Sequence, residues 1–70
     1  MDKDKRKSGV IERGEIIKSE DGNYTIQSFD RIGIITAPLK PLQEEEAFSI
    51  GDRVFYFYFK DGTGRIICKL

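Results

Sequence analysis

The residues of this chain best suited to binding chemistry stand in one short segment, VFYFYFKDGTGR, near its C-terminal end. Tyr56 and Tyr58 combine an aromatic ring with a hydroxyl, which suits them to protein contacts or to stacking on nucleic-acid bases. Arg53, Lys60 and Arg65 stand beside them and carry positive charge for acidic groups or phosphates. These five residues are the candidate contact site.

The chain offers little for catalysis. It has no histidine, the side chain most often used as a general base. Its one cysteine, Cys68, therefore has neither a histidine to activate it nor a second cysteine for a disulfide. Three consecutive glutamates, Glu44 to Glu46, lack the spaced partner that a calcium or magnesium site requires, and the glycines of DGTGR do not have nucleotide-loop spacing. We expect no enzyme activity, no metal and no cofactor.

The segment that carries the candidate site is apolar on both faces. Because successive side chains of a strand point to opposite sides, it has a tyrosine face and a phenylalanine face. Phe55, Phe57 and Phe59 have no polar atom, so we expect them to fill the core. Tyr56 and Tyr58 keep a hydroxyl that needs water or a partner, so we expect them near the surface.

Three alternatives remain for the tyrosine face. The connection that precedes the strand can cover it with Leu39, Leu42 and Phe48. A protein partner or further copies of the chain can dock on it, since tyrosine is enriched at interfaces. Nucleic-acid bases can stack on it, although twelve basic residues balance twelve acidic ones and the formal net charge is zero, whereas nucleic-acid binding usually draws on excess positive charge.

The elements that must position these residues are β-strands. Short β-type runs separated by turn residues begin at Val10, and no long segment shows a helical apolar period. The expected strands are residues 10–18, 24–29, 31–36, 53–60 and 65–69. SEDGN, at 19–23, predicts a tight hairpin turn, because Asp and Gly tolerate positive φ. Gly14, inside the first run, predicts a bulge or a tight bend.

This pattern predicts an all-β fold, a small five-stranded antiparallel barrel of the OB-like type, with an SH3-like barrel as the alternative. A short helical turn in QEEEAF is possible between the third and fourth strands. It would have to dock through Leu42, Ala47 or Phe48, because so short a helix is marginal alone. Glu44, Glu45 and Glu46 are expected on its solvent side.

The 70 residues predict one domain at 9–70, preceded by a disordered, charged leader at 1–8. No apolar segment approaches the roughly 20 residues that span a bilayer, and no signal-peptide pattern is seen, so we expect a cytoplasmic protein and no membrane partner.

The C-terminal hairpin GDRVFYFYFKDGTGRIICKL, at 51–70, resembles the end of small tail and baseplate proteins of phages and prophage-like elements. In that family a Gly-Asp-x-Val start leads to an apolar strand, an Asp-Gly turn and a final apolar strand. The resemblance implies an OB-like domain in a multi-subunit assembly, with no catalytic residues.

The expected function is therefore non-enzymatic binding or assembly, with a protein partner or further copies of the chain contacting the tyrosine strand. The alternative is a barrel that binds single-stranded nucleic acid.

Overall fold

A computed structural model of the chain describes residues 10–43 and 45–70. The leader expected at 1–8, and Glu44 among the three glutamates, lie outside the described residues. Five β-strands and no helix make up the described part. The strands are β1 (Val10–Glu20), β2 (Asn23–Ser28), β3 (Lys40–Pro41), β4 (Arg53–Tyr58) and β5 (Gly64–Lys69).

The strands form one sheet, in the order β2-β1-β4-β5-β3, that curls round on itself. All pairs are antiparallel except β3 with β5, which are parallel. The chain around β3 also reaches β2: Leu39 and Tyr24 exchange two backbone hydrogen bonds of 2.8 Å, and Thr36 N donates to Ile26 O at 2.9 Å. The prediction of an all-β fold with five strands curled into a small barrel is confirmed, and the non-sequential strand order is consistent with the OB-like type that was expected first.

β1 pairs with two strands. Its first half pairs with β4 and its second half with β2. Gly14 belongs to both ladders. A Cβ there would lie 2.5 Å from Ile26 Cγ2 and 3.2 Å from Tyr56 Cε1, so only glycine allows this close approach. The register irregularity of β1 falls just beyond it, between Ile16 and Lys18.

The turn between β1 and β2 matches the prediction from SEDGN. Asp21 has a φ of 54° and Gly22 a φ of 80°, so both central residues are left-handed. That conformation joins two strands by a two-residue loop whose twist matches theirs.

The third strand differs from its prediction. Residues 31–34 form a turn in which Ile34 N donates to Arg31 O at 3.2 Å, and the short β3 follows only at Lys40–Pro41. The physical reason lies at the end of β2, where Ser28 Oγ accepts hydrogen bonds from Asp30 N at 3.1 Å and Arg31 N at 2.9 Å. Those bonds turn the chain at once, so the strand expected at 31–36 is reduced to a turn followed by one isolated antiparallel bridge between Ile35 and Gln27.

The connection from β3 to β4 forms no helix among its described residues. A turn replaces it, closed by Glu46 N donating to Gln43 O at 3.0 Å. Of the three anchors expected for this segment, only Phe48 is buried, while Leu42 and Ala47 are exposed. The Phe48 ring packs edge-to-face on Tyr24, at 5.5 Å between centroids.

The core fills the inside of the curled sheet. It consists of Ile16, Tyr24, Ile26, Leu39, Phe48, Val54, Tyr56 and Ile66. Phe55, Phe57 and Phe59 are absent from it, so the prediction that they form the core is wrong.

Candidate functional site

The tyrosine face of β4 points into the barrel. Tyr56 is completely buried and Tyr58 is half-buried against the core. The expectation that both rings lie near the surface is therefore wrong for Tyr56 and only partly right for Tyr58. The register places Tyr56 opposite Glu12 on β1, so the phenol finds a partner inside, and Gly14 leaves space for its ring.

Glu12 is the centre of a buried polar network. Its side chain is only 6% exposed, and Oε1 accepts hydrogen bonds from the Tyr56 hydroxyl at 2.8 Å and from Ser28 Oγ at 3.1 Å. The second oxygen, Oε2, lies 2.9 Å from Arg31 Nε in an ion pair. Burial, with the neighbouring Glu12, raises the pKa of Tyr56 to about 12, since an ionised phenol there would lose its hydration.

This network also fixes the chain after β2. The Arg31 guanidinium, held by Glu12, lies over the ring of Tyr58 at 4.7 Å from its centroid. Ser28 accepts the two backbone N–H groups described above while donating to Glu12. The side-chain oxygens of Glu12, Ser28 and Tyr56 all have partners. The cluster therefore has a structural role, because it fastens residues 28–31 to the barrel.

The phenylalanine side of β4 forms the outer surface of the sheet. One cross-strand row there holds Ile11, Phe57 and Arg65, and the next holds Arg13, Phe55 and Cys68. Directly opposed residues of antiparallel strands share a face. We call Ile11, Phe55, Phe57 and Phe59 the phenylalanine face.

Several of these apolar side chains are exposed to solvent. Ile11 is 69% exposed, Phe59 41% and Phe55 36%, and Phe57 is half-buried. The rings of Phe57 and Phe59 contact each other at an angle, with centroids 5.6 Å apart. Phe55, Phe57 and Ile11 on one sheet surface, with Phe59 in contact directly after the strand, are more than the single, scattered apolar residues normal on the surface of a monomer.

The basic residues predicted for the site border this phenylalanine face. Arg53 and Arg65 lie on the outer side of the sheet, exposed, with the Arg53 guanidinium 5.9 Å from the centroid of Phe29. Lys60 lies in the turn after β4. The structure thus brings Arg53 and Arg65 beside the phenylalanines and separates both from the buried Tyr56.

Arg13 also belongs to this surface, and its charge is already paired. Its guanidinium lies 2.8 Å from Asp30 Oδ1, and its backbone N donates to Asp30 Oδ2 at 2.8 Å. Hydrogen bonding to Arg13 lowers the pKa of the Asp30 carboxyl, and the same contact raises the pKa of Arg13. Both groups are exposed, so this pair orients the loop more than it stabilises the fold.

Sequence reasoning missed Glu12, Ser28 and Arg31. One signal was available: Glu12 lies in phase with Gly14 and Ile16, the other buried positions of β1. No local rule, however, matches that glutamate to a tyrosine 44 positions away.

The part of the chain that the structure describes holds no cluster of three or more side chains able to bind a metal ion. No helix in that part is long and apolar enough to cross a membrane. Comparison with known protein families, with curated proteins and with solved structures gives no match to this chain.

Proposed function

We propose that this protein is a non-enzymatic binding and assembly module that contacts a protein partner or further copies of itself through the phenylalanine face. One observation carries the proposal: the core excludes Ile11, Phe55 and Phe57, which lie on the outer surface of one sheet, and Phe59, which follows β4 directly. The aromatic strand remains the contact element, but its opposite face does the binding.

The energetics of the face support a contact role. Each aromatic side chain has on the order of 150–250 Å² to bury, and burial of apolar area yields roughly 25 cal/mol per Å². A partner that covers this face removes its apolar surface from water, and that burial contributes favourable free energy to binding. Aromatic residues and arginine are also the types enriched at protein interfaces, and both meet here.

The resemblance of residues 51–70 to phage tail and baseplate proteins supports the same function, because it implies a small barrel placed in a multi-subunit assembly. We propose in addition that the protein acts in the cytoplasm.

A second candidate is binding of single-stranded nucleic acid. Arg53 and Arg65 flank the exposed Phe55 and the half-buried Phe57, and bases that stack on aromatic rings often have their phosphates held by neighbouring basic groups. Stacking on Tyr56 is excluded by its burial. The zero net charge places this candidate behind protein binding.

The test compares Phe57→Ser with Ile50→Ser, since Ile50 is an apolar residue outside the phenylalanine face, 66% exposed, in the turn before β4. Each protein is treated with a lysine-reactive cross-linker, alone and in a lysate of the source cells. We expect cross-links that map to Lys60, in the turn directly after Phe59, in the wild type and in Ile50→Ser, and their loss in Phe57→Ser.

Reactivity of the Cys68 thiol gives a second readout, because Cys68 lies opposite Phe55 and is exposed. A partner on the phenylalanine face slows its reaction with a thiol reagent. Cross-links that are equal in all three proteins, with an unprotected thiol, would overturn the proposal. A salt-sensitive gel shift with single-stranded oligonucleotides, lost in Phe57→Ser and in Arg65→Ala, would favour the second candidate.

A further inference from the structure

Two grooves adjoin Phe59, the residue that follows β4, and the charged residues described in their walls are all cationic. The narrow groove has a volume of about 160 Å³, and its charged lining residues are Arg31 and Lys60. The wide groove has a volume of about 400 Å³, and its charged lining residue is Arg65. In the part of the chain that the structure describes, no carboxylate lines either groove.

The rest of the narrow groove is mostly apolar and open to solvent. Ile35 is 55% exposed, Phe59 41% and Ile34 38%, and Ala37 and Tyr58 complete its apolar lining. A cavity of about 150 Å³ accepts benzene, so one aliphatic or phenyl side chain fits this groove. Its burial there removes apolar surface of both molecules from water, which favours binding.

The cations of the two grooves are not equivalent. Arg31 forms an ion pair with the buried Glu12, at 2.9 Å from Nε to Oε2, so its charge is already compensated and it offers mainly hydrogen-bond donors. Lys60 and Arg65 are exposed, and neither forms an ion pair within the described part of the chain. The excess positive charge at the grooves therefore comes from Lys60 and Arg65.

The turn between β4 and β5 keeps its own carboxylate away from these cations' open side. Asp61 Oδ1 accepts hydrogen bonds from Thr63 N at 3.0 Å and from Thr63 Oγ1 at 2.7 Å. The turn is closed by Phe59 N donating to Thr63 O at 2.7 Å and by Gly62 N donating to Phe59 O at 2.9 Å. Asp61 is thus bonded within the turn and lines neither groove.

Both grooves are continuous with the phenylalanine face. Phe59 lines both of them, and Phe57 lines the wide one. A molecule that covers the phenylalanine face at Phe57 and Phe59 therefore also meets the cationic groups of the grooves.

We infer that this surface receives an acidic segment of an unlike protein, in which an aliphatic or phenyl side chain enters the narrow groove and neighbouring carboxylates contact Lys60 and Arg65. This inference deepens the proposed function and rests on it, because it names the chemistry of the partner. Charge complementarity decides the class of partner. A basic segment would meet like charges, and a two-fold pairing of two copies through these grooves would oppose cation to cation.

The arrangement of the rings favours a peptide over single-stranded nucleic acid. Phe57 and Phe59 lie at 69° to each other, with centroids 5.6 Å apart, so they offer no common plane on which successive bases stack. Nucleic acid also presents a phosphate charge at every nucleotide. Two uncompensated cations match a peptide with a few carboxylates better than such a backbone.

The experiment uses three synthetic pentapeptides with blocked ends. Glu-Leu-Glu-Ile-Glu has both features of the inferred segment, Lys-Leu-Lys-Ile-Lys reverses its charge, and Glu-Gly-Glu-Gly-Glu lacks the apolar side chains. Each is titrated into the isotope-labelled full chain up to about 5 mM while amide chemical shifts are recorded. We expect Glu-Leu-Glu-Ile-Glu to bind with a Kd of about 1 mM or lower, and the other two at least about 10-fold more weakly. The shifted amides should include those of Lys60 and Arg65.

Reversal of charge tests the two cations. Lys60→Glu and Arg65→Glu should each weaken binding of Glu-Leu-Glu-Ile-Glu about 10-fold, because an attraction becomes a repulsion. The double variant should prefer Lys-Leu-Lys-Ile-Lys, which a misfolded protein would not do. Lys18→Glu makes the same change at an exposed lysine outside both grooves and should bind like the wild type.

Filling the narrow groove tests the apolar contact separately. Ala37→Phe leaves the charge unchanged and should weaken binding of Glu-Leu-Glu-Ile-Glu about 10-fold, because the added ring occupies the space of the bound side chain. Circular dichroism and thermal unfolding verify that every variant folds.

The inference is overturned by equal binding of the acidic and basic peptides, by no binding of Glu-Leu-Glu-Ile-Glu, by an equal loss in Lys18→Glu, or by a double variant that does not prefer the basic peptide. Tighter binding of a single-stranded oligonucleotide at the same amides, or a dimer formed through them, also overturns it. If the acidic peptide fails while Phe57-dependent cross-links to another protein persist, the inference falls and the proposed function stands. Absence of any Phe57-dependent contact would refute the proposed function itself.

Discussion

At the scale of single residues, the barrel interior depends on one tyrosine that keeps its proton. Tyr56 is fully buried and donates its only hydroxyl hydrogen to the Glu12 carboxylate at 2.8 Å. Removal of that proton would place a phenolate against a carboxylate in a site with little water. The pKa of Tyr56 is accordingly raised to about 12.

This shift predicts a loss of stability in alkali. Unfolded tyrosine ionises near pH 10, whereas Tyr56 in the fold ionises at about 12. Between those values the unfolded chain has released a proton that the folded chain keeps, so the free energy of unfolding falls as pH rises, by up to about 1.4 kcal/mol per unit. The stabilisation linked to the raised pKa of Tyr56 is fully present below pH 10.

The variant Tyr56→Phe tests how much the ionisation of Tyr56 contributes to the free energy of unfolding. The variant loses a hydrogen bond to a charged acceptor, so at neutral pH we expect it to be less stable by about 1.5–3 kcal/mol. Above pH 10 the gap should narrow, because only the wild type loses stability through Tyr56. Urea unfolding at pH 7, 9, 10, 11 and 12 measures the gap. Two parallel pH curves would contradict the assignment.

At the scale of elements, β1 joins β2 to the central strand β4, because it pairs with both. Its two ladders meet at Gly14, where a Cβ would come within 2.6 Å of the Gln27 carbonyl oxygen. That atom belongs to the backbone of β2, so it cannot rotate aside as a flexible side chain would.

Gly14→Ala should therefore destabilise the protein although alanine is an ordinary strand residue. The added methyl group must push β2 away from β1, and overpacking of this kind typically costs about 1–3 kcal/mol. Ser19→Ala, an exposed position on the same strand, serves as the control and should change stability by less than about 0.5 kcal/mol. Chemical denaturation compares the two, and equal effects would refute close approach at Gly14.

At the scale of the whole molecule, the two sides of the barrel differ in how many strand residues are paired. β1, β4 and β5 form long ladders of six and five residue pairs, while β3 has two residues. The segment around β3 is joined to β2 through isolated bridges at Leu39 and Ile35. Local opening should begin at this seam.

Native-state hydrogen exchange measures that difference. The amides of Thr36 and Leu39, which bond to β2, should exchange through openings of lower free energy than the amide of Tyr56 in the central strand. The reason is that few hydrogen bonds must break to free the seam. Equal opening free energies would mean instead that the barrel opens only as a whole.

Part of this architecture could be predicted from local sequence. The Asp21-Gly22 turn, the Asp-Gly turn after β4 and the alternation of Tyr24, Ile26 and Ser28 follow from backbone preferences and the two-residue period of strands, which neighbouring residues determine. The third strand could not be located in this way. The turn that replaces its start depends on the Ser28 hydroxyl, which accepts hydrogen bonds from the backbone N–H groups of Asp30 and Arg31. The backbone preferences of a serine do not reveal whether its hydroxyl makes such bonds.

The sequence by itself determined that the chain is all-β, that it closes as a small barrel, and that the strand at Arg53–Tyr58 is apolar on both sides. Which side enters the core was decided only by the tertiary structure. Both faces of that strand are hydrophobic enough to be buried, so the choice depends on register: β1 places Glu12 opposite Tyr56 and Gly14 beside its ring. A small barrel has room for one face, and the phenylalanines were left outside.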